Sequence, residues 1–144
     1  HPEEVGVASE HGLRKEMEDA MPNETPVERE QLERSVIDLA VESWRFSRLF
    51  ARLVSRLDAG ESSRYVNQLR YFQKKLEESL EASGLRLVNV EGQHFDPGMA
   101  ASALNIGDFG PDDVLLVEQM VEPIIMGPDG LRKQGTVMLG KAGS

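Results

Sequence analysis

The stretch LEESLEASGLRLVNV, residues 76–90, contains the point at which the sequence changes from helical to strand periodicity. Leu76 and Leu80 end a series of apolar residues spaced three and four apart, which is typical of one face of a helix. Gly84 stands where a helix commonly ends, because glycine readily adopts the left-handed backbone of the C′ position. Residues 85–90 then follow a strand pattern. The sequence therefore predicts an α+β chain with helices before Gly84 and strands after it.

The segment before this switch encodes two helices. The run TPVE at residues 25–28 places a hydroxyl at the N-cap, proline at the first helical position and glutamate at the third, which is a capping box. Gly60 is expected to end this first helix, and the second helix is expected from about Ser62 to Ser83. Because the loop between them is short, the two helices should pair as an antiparallel hairpin.

The first helix carries more apolar surface than one hairpin can bury. A main stripe repeats every three or four residues and a second strip runs beside it, so the helix has apolar surface for at least two neighbours. We therefore expect two copies of the hairpin to form a homodimeric four-helix bundle across a two-fold axis. The predicted bundle core consists of Leu39, Phe46, Phe50, Leu53, Leu69, Phe72 and Leu76. The second strip consists of Ile37, Val41, Trp44, Leu49 and Val54.

The part of the chain after Gly84 is predicted to form a small β-rich lobe that leans on the helices. The run GPDG at residues 127–130 has the residue types of a tight turn. The predicted strands are residues 85–90, residues 114–121 with an extension past a bend at 123–126, and a returning strand at 131–139.

The chain thus divides into three predicted parts. Residues 1–24 are a polar, acidic leader, which is expected to be mobile, although its spaced apolar residues would also suit a short amphipathic helix. Residues 25–84 form the helical hairpin and dimerisation domain. Residues 85–141 form the β-rich lobe, to which we assign the binding of a partner.

A metal site is one interpretation of the run EGQHFDP, residues 91–97. Glu91, His94 and Asp96 carry side chains that bind metals, but the sequence has no second cluster of ligands to complete a site. Asp96 is better explained as the cap of a helical turn that begins at Pro97 and continues through residues 99–104. We therefore predict no metal here.

The same run is predicted to have a structural role. Phe95 would pack under the turn, and Phe95, Asp96 and Pro97 together would form the joint between the helical bundle and the β lobe. Under this interpretation the three residues position the lobe and carry out no chemistry.

Enzymatic function is not indicated. The chain has no cysteine, no G-x-S-x-G or S-x-x-K motif accompanies its serines, and its glycines match no phosphate-binding loop. Asp112 and Asp113 are expected in a solvated turn. We therefore predict a protein that is not an enzyme and has no cofactor.

Composition also bounds the partners and the compartment. The net charge of −9 would repel a phosphate backbone, so nucleic acid is an unfavourable partner. No apolar run approaches the roughly 20 residues of a membrane span. The absence of cysteine fits a reducing compartment, and we expect a cytoplasmic protein.

A strip of arginines stands out in this acidic chain. Arg45, Arg48, Arg52 and Arg56 lie on one side of the first helix. Their stems could flank the core while their heads pair with acids of the second helix, of which the candidates are Glu77, Glu78 and Glu81. The alternative is a patch for an acidic partner, although a run of charge is usually a solvated helix face.

Two segments resemble the GrpE family, the nucleotide-exchange factors of DnaK-type chaperones. LEESLEASGLRLVNVEGQHFDP, residues 76–97, is similar to the family's helix–glycine–strand run leading to Phe-Asp-Pro, and VLLVEQMV followed by GTVMLGK, residues 114–121 and 135–141, resembles its terminal β-hairpin. The resemblance implies a homodimeric co-chaperone whose β lobe binds the chaperone's ATPase domain and promotes ADP release. It places the partner contact at Glu118, Arg132, Lys133 and Leu139. The structural alternative is that Leu139 belongs to the core of the lobe and that Arg132 and Lys133 keep an edge strand soluble.

A second class of protein shares the size, acidity and α/β content of this chain. Small acidic dimeric chaperones or adaptors for a secreted or client protein have these properties as well. Such adaptors usually interleave strands between their helices, whereas this sequence places both long helices first. The order of elements therefore favours the co-chaperone.

Overall fold

The structure is a computed structural model in which residues 25–143 are described. The acidic leader, residues 1–24, lies outside the described residues. The predictions that it is mobile or forms a short helix concern only those residues. By its contacts the described chain falls into two units, residues 25–35 and residues 36–143. The chain is α+β, with two helices followed by a small lobe of six strands.

Helix α1 spans Pro26–Val54 and helix α2 spans Ala59–Ala82. The predicted capping box is confirmed at the start of α1, where Glu28 N donates to Thr25 Oγ1 at 3.1 Å and Thr25 N donates to Glu28 Oε2 at 3.2 Å. These two bonds satisfy backbone donors that have no partner within the helix.

Helix α2 begins earlier than predicted, and Gly60 lies inside its first turn instead of ending α1. The physical reason is Asp58, whose Oδ1 accepts a hydrogen bond from Glu61 N at 2.9 Å. A carboxylate at the N-cap also interacts favourably with the positive end of the helix dipole. This cap starts the helix before Ser62, and the mild helix penalty of Gly60 does not prevent it.

The end of α2 follows the prediction. Gly84 has a φ of 75°, and the N–H groups of Gly84 and Leu85 donate to the carbonyls of Glu81 and Leu80, each at 2.9 Å. These bonds form a Schellman motif, which ends the helix and reverses the chain. Leu80 and Leu85 are both buried in one apolar cluster, which is the hydrophobic contact that accompanies this motif.

The two helices run antiparallel, as predicted. Near the loop, the rings of Phe50 and Tyr65 meet edge to face with their centroids 6.3 Å apart. At the far end, Ile37 and Val41 share an apolar cluster with Leu80. Residues near the end of α1 therefore contact the start of α2, and residues earlier in α1 contact the end of α2.

The lobe consists of two three-stranded sheets. One sheet has the order β1–β4–β5 and is antiparallel; the other has the order β2–β6–β3, in which β2 is parallel to β6 and β3 is antiparallel to it. A 3₁₀ turn follows β2 at Ile106–Asp108. The strands are β1 (Arg86–Val88), β2 (Ala101–Ala103), β3 (Leu115–Glu122), β4 (Ile124–Gly127), β5 (Gly130–Lys133) and β6 (Gly135–Lys141).

The predicted hairpin around residues 127–130 is present, but both of its arms change sheet midway. Residues 114–126 were expected to be one bent strand, and residues 131–139 one returning strand. Instead Pro123 separates β3 from β4, because proline has no N–H to donate to a ladder. Opposite it, the other arm breaks between β5 and β6. Gly135 permits this crossing, since a Cβ there would lie 2.7 Å from Ile124 Cγ1 and 3.0 Å from Glu122 O.

The helical turn predicted over residues 99–104 is wrong. Asp96 does hold a turn, because its Oδ1 accepts from Gly98 N and its carbonyl accepts from Met99 N, each at 2.9 Å. The chain then extends into β2, and Gly135 N donates to Ala100 O at 2.9 Å. Pairing of β2 with β6 satisfies these backbone groups, and it outweighs the helix propensity of three alanines.

Two apolar clusters hold residues 36–143 together. One lies inside the lobe and includes Val117, Met120, Val137 and Leu139. The other joins the lobe to the helices: Ile125, which has no exposed surface, packs with residues of α1, α2 and the segment after α2. The members of this joining cluster are Ile37, Ala40, Val41, Leu80, Leu85 and Ile125. Within the described residues, no helix combines the length and apolar character that crossing a membrane requires.

We predict that Gly135→Ala destabilises the protein by about 1–3 kcal/mol, because the added methyl would overlap Ile124 and the backbone of Glu122. Gly107→Ala is the matched control: a Cβ at Gly107 meets nothing within 4 Å, so its effect should stay within about 0.5 kcal/mol. Urea unfolding followed by circular dichroism measures both. Equal stability of the two variants would show that Gly135 does not pass close to Ile124 and Glu122.

Candidate interaction surfaces

Helix α1 presents a stripe of large apolar side chains to solvent. Leu39, Phe46 and Leu53 are 69%, 63% and 58% exposed, and their spacing of seven residues keeps them on nearly one side of the helix. Side chains of this size are normally buried, and a contiguous exposed group of them marks an interaction site. We call these three residues the outer stripe.

The other predicted bundle residues lie along the seam between the helices. Phe72 is exposed, whereas Phe50, Leu69 and Leu76 are half-buried. An open groove of about 210 Å³ runs between α1 and α2 beside the outer stripe. It is lined by Phe46, Ser47, Phe50, Gln68, Leu69 and Phe72.

The second apolar strip of α1 has a different neighbour. Ile37, Val41 and Val54 are buried, and Trp44 packs against the cluster inside the lobe. The lobe and α2 therefore share in covering one face of α1 and leave the outer stripe uncovered. Leu49 departs from the predicted strip, since it is largely exposed.

The partner-binding residues predicted in the lobe divide between its two sheets. Glu118 is exposed on β3, and its carboxylate lies over Gly140, where a Cβ would meet Oε2 at 2.9 Å. Arg132 is exposed on β5, with Nη2 3.5 Å from Asp129 Oδ2, and Lys133 beside it is half-buried. The structure does not bring these residues together on one sheet.

The prediction that Leu139 contacts a partner is wrong. Its side chain is only 2% exposed and belongs to the cluster inside the lobe. The Asn105 side chain also holds its backbone, since Asn105 Nδ2 donates to Leu139 O at 3.0 Å and Leu139 N donates to Asn105 Oδ1 at 2.9 Å. Leu139 therefore supports the lobe from inside.

The predicted joint at Phe95, Asp96 and Pro97 lies within the lobe and not at its junction with the helices. Phe95 packs against the lobe cluster, and its N–H donates to Leu115 O at 2.8 Å. The chain passes from the helices to the lobe at Gly84–Leu85 instead. The Schellman motif makes that connection, and Ile125 packs over it.

A polar contact that sequence reasoning missed ties α1 to β3. The carboxylate of Glu91 accepts hydrogen bonds from the guanidinium of Arg48 and, at 2.9 Å, from Met120 N. Arg48 also lies over the Trp44 ring, 5.2 Å from its centroid, a distance at which a cation is attracted to the ring face. Arg48 and Glu91 are 43 positions apart, so no local spacing in the sequence reveals the pair.

The three candidate metal ligands are used or placed in other ways. Glu91 is engaged by Arg48 and Met120, the Asp96 carboxylate accepts from Gly98 N, and His94 is an exposed residue whose backbone bridges to Leu116. Within residues 25–143 no group of three histidine, aspartate or glutamate side chains is placed to hold a metal ion.

The arginine strip does not pair with the acids that were proposed for it. Arg45 Nη1 lies 3.3 Å from Glu42 Oε1 within the same helix, and Arg48 pairs with Glu91. Glu78 pairs instead with lysines of its own helix. Neither Arg52 nor Arg56 forms an ion pair with any residue of the described part of the chain. Arg52 on α1 and Arg56 just after its end are both exposed residues.

No protein-family model, curated protein or solved structure matches this chain. The information about function therefore lies in its own surfaces. Three of them stand out: the outer stripe of α1, the exposed charged residues of the lobe, and the arginine strip.

We predict that Glu91→Ala lowers the free energy of unfolding by about 1.5–3 kcal/mol, because it leaves Met120 N and the half-buried Arg48 without their acceptor. Glu91→Gln keeps an acceptor for Met120 N and should lose less. The control is Glu42→Ala, whose partner Arg45 is exposed; its loss should be about 0–1 kcal/mol. Urea unfolding measures the stability of all three variants. If Glu91→Ala lost no more stability than Glu42→Ala, the Glu91–Arg48 contact would not stabilise the packing of α1 against β3.

Proposed function

We propose that this chain is a homodimeric co-chaperone of the GrpE type, which binds the ATPase domain of a DnaK-type chaperone through its β lobe and promotes the release of ADP. In this proposal the helical hairpins of two copies form a four-helix bundle. The bundle holds two β lobes at its surface, and each lobe is a docking site. The protein changes the chaperone's nucleotide affinity and carries out no covalent chemistry.

The observation that carries the proposal is the outer stripe. Leu39, Phe46 and Leu53 remain uncovered although α2 and the lobe together bury residues on the neighbouring face of the same helix. Burying a large apolar side chain contributes about 1.5–3 kcal/mol, and a two-fold dimer buries every such residue twice. The apolar groove beside the stripe, which Phe46 also lines, offers a concave surface in which side chains of a second copy could interdigitate.

The way the lobe is attached supports the second part of the proposal. A lobe that favours one conformation of its partner must not rotate freely, since otherwise its binding energy would not depend on the partner's shape. Ile125 and the Glu91–Arg48 contact both tie the lobe to the helices. The order of elements also agrees with the GrpE resemblance: helical hairpin, Gly84, strand, Phe-Asp-Pro run, then a hairpin of strands.

The mechanism follows from linkage. If the lobe binds the ATPase domain better when the nucleotide cleft is open, binding shifts the cleft toward the open state and weakens ADP binding. Reciprocity then requires that nucleotide weaken the complex of the two proteins by the same factor. Moving the cleft from mostly closed to mostly open needs about 5 kcal/mol of differential affinity.

Glu118 and Arg132 are the side chains best placed to contribute to such an interface. Both are exposed and lie on strands of the lobe, so they can reach a partner without any change in the fold. Leu139 contributes only as support for β6. The alternative adaptor class remains less favoured, because no strand lies between the two long helices in the described residues.

In light scattering coupled to size exclusion, the protein should have twice the chain mass of 16.0 kDa. Phe46→Glu combined with Leu53→Glu should give a monomer, because it places four charges in the dimer interface at a cost of several kcal/mol. Leu104→Glu, an equally exposed apolar position in the lobe, should remain a dimer. A wild-type monomer at micromolar concentration would contradict the bundle.

Release of a fluorescent ADP analogue from a DnaK-type ATPase of the same organism should accelerate when the protein is added. Glu118→Ala combined with Arg132→Ala should reduce the acceleration about tenfold. A polar contact at the rim of an interface contributes about 1 kcal/mol or less, and a contact nearer the centre contributes more, so the loss of two contacts corresponds to roughly a factor of ten in affinity. Arg70→Ala on α2 is the control for lost charge and should leave the rate unchanged. No acceleration by the wild-type dimer with any such chaperone would reject exchange activity.

A further inference from the structure

A cleft of about 370 Å³ lies between α1 and β3, on the side of α1 that carries the arginine strip. Its volume lies in the range of sites that hold a few side chains or a small ligand. One wall comes from α1 and the other from the second half of β3. The residues that line it are Glu42, Trp44, Arg45, Phe46, Arg48, Leu49, Arg52, Gln119, Met120 and Val121.

The cleft has the opposite charge to the rest of the chain. It contains three arginines and one glutamate, whereas the whole chain has a net charge of −9. Arg45, Arg48 and Arg52 are three and four residues apart, so they lie side by side and repel one another. A concentration of like charge of this kind is stabilised when negative groups bind to it.

Among residues 25–143, only part of this charge is neutralised by ion pairs. Arg48 is paired with Glu91 and both side chains are partly buried, while the pair of Arg45 with Glu42 is exposed on both sides and contributes little. Arg52 has no ion pair with any described residue. The guanidinium groups of Arg45 and Arg52 can therefore bind carboxylates of another molecule, in the bidentate geometry that suits both groups.

The remainder of the cleft is apolar. Trp44 and Leu49 lie on the α1 side, and Met120 and Val121 lie on the β3 side. Leu49 is 59% exposed, so apolar surface remains to be covered. An apolar interior between two arginines fits a ligand that has an apolar side chain with acidic groups on either side of it.

We propose that this cleft binds an acidic peptide segment of a partner protein, in which a leucine or phenylalanine is flanked by aspartate or glutamate. The apolar side chain packs against Trp44 and Leu49, and the flanking carboxylates bind Arg45 and Arg52. A nucleic acid does not fit, because three arginines are few and the surrounding negative charge repels a phosphate backbone. Peptide binding in this cleft requires neither the dimer nor a chaperone partner. A failure of peptide binding can therefore be distinguished from a failure of the proposed co-chaperone function.

Trp44 provides a direct measurement, because it is the single tryptophan of the chain and it lines the cleft. The probe is a synthetic hexapeptide with a central Leu-Phe pair and two acidic residues on each side. Titration into the full chain should change Trp44 emission to saturation. A matched peptide with glutamine and asparagine in place of the acids should bind about tenfold more weakly or worse. Raising NaCl from about 50 to about 500 mM should also weaken binding, since the rim charges are exposed.

Charge-reversal variants locate the site. Arg52→Glu should weaken binding of the acidic peptide by about tenfold, and Arg45→Glu combined with Arg52→Glu by more. Arg70→Glu changes the net charge by the same amount as Arg52→Glu but lies on α2 outside the cleft, so its affinity should stay within about twofold. Circular dichroism confirms that each variant folds.

Three results would overturn the proposal. In the first, the glutamine and asparagine peptide binds as well as the acidic one. In the second, Arg70→Glu weakens binding as much as Arg52→Glu, which would assign the effect to net charge alone. In the third, Trp44 emission changes on dilution of the protein but not with peptide, which would assign the cleft to a second copy of the chain.

Discussion

The apolar surface of helix α1 is the constraint on which the rest of the structure depends. One face of the helix, around Ile37 and Val41, is buried with Leu80 and Ile125, so that the hairpin and the lobe form one unit from residue 36 onward. The adjacent face, with Leu39, Phe46 and Leu53, cannot be buried at the same time because the helix cannot turn both faces toward one neighbour. Folding of the single chain therefore determines which apolar surface is left for another molecule.

The arginines of α1 divide in a similar way. Arg48 points its charge to Glu91 and thereby to the backbone of β3, which fixes the helix against the lobe. Its neighbours one turn before and after, Arg45 and Arg52, line the cleft and are not needed for this contact. One strip of the helix thus combines a structural ion pair, Arg48 with Glu91, with Arg45, whose pair with Glu42 is exposed, and Arg52, which has no ion pair within residues 25–143.

Local patterns predicted the helices well, because their signals are short-range. The capping box at Thr25 and the glycine stop at Gly84 depend on backbone groups within four or five residues. One error was local: the cap at Asp58 starts α2 before Gly60, which was expected to end α1. The other errors arose where distant segments decide the outcome. The alanines of β2 extend because β6 lies beside them, and the partner of Arg48 is 43 positions away.

The interaction surfaces were also predicted correctly where the signal is local and wrongly where distant segments decide. Periodicity identified Leu39, Phe46 and Leu53 as an apolar stripe, and the structure leaves these three residues exposed. Position in a hairpin could not separate exposed from buried residues, since the change of sheet at Pro123 alters which side chains face inward. Leu139 was therefore assigned to a surface although it lies inside the lobe.

The change of sheet also determines how the lobe responds to force. Each sheet contains part of both arms of the long hairpin, because β3 and β6 pair in one sheet while β4 and β5 pair in the other. Tension applied to either sheet is passed along the continuous backbone at Pro123 and Gly135 into its neighbour. From there it reaches Ile125, which packs against the helices, so the two sheets and the helices share a load that is applied to the hairpin.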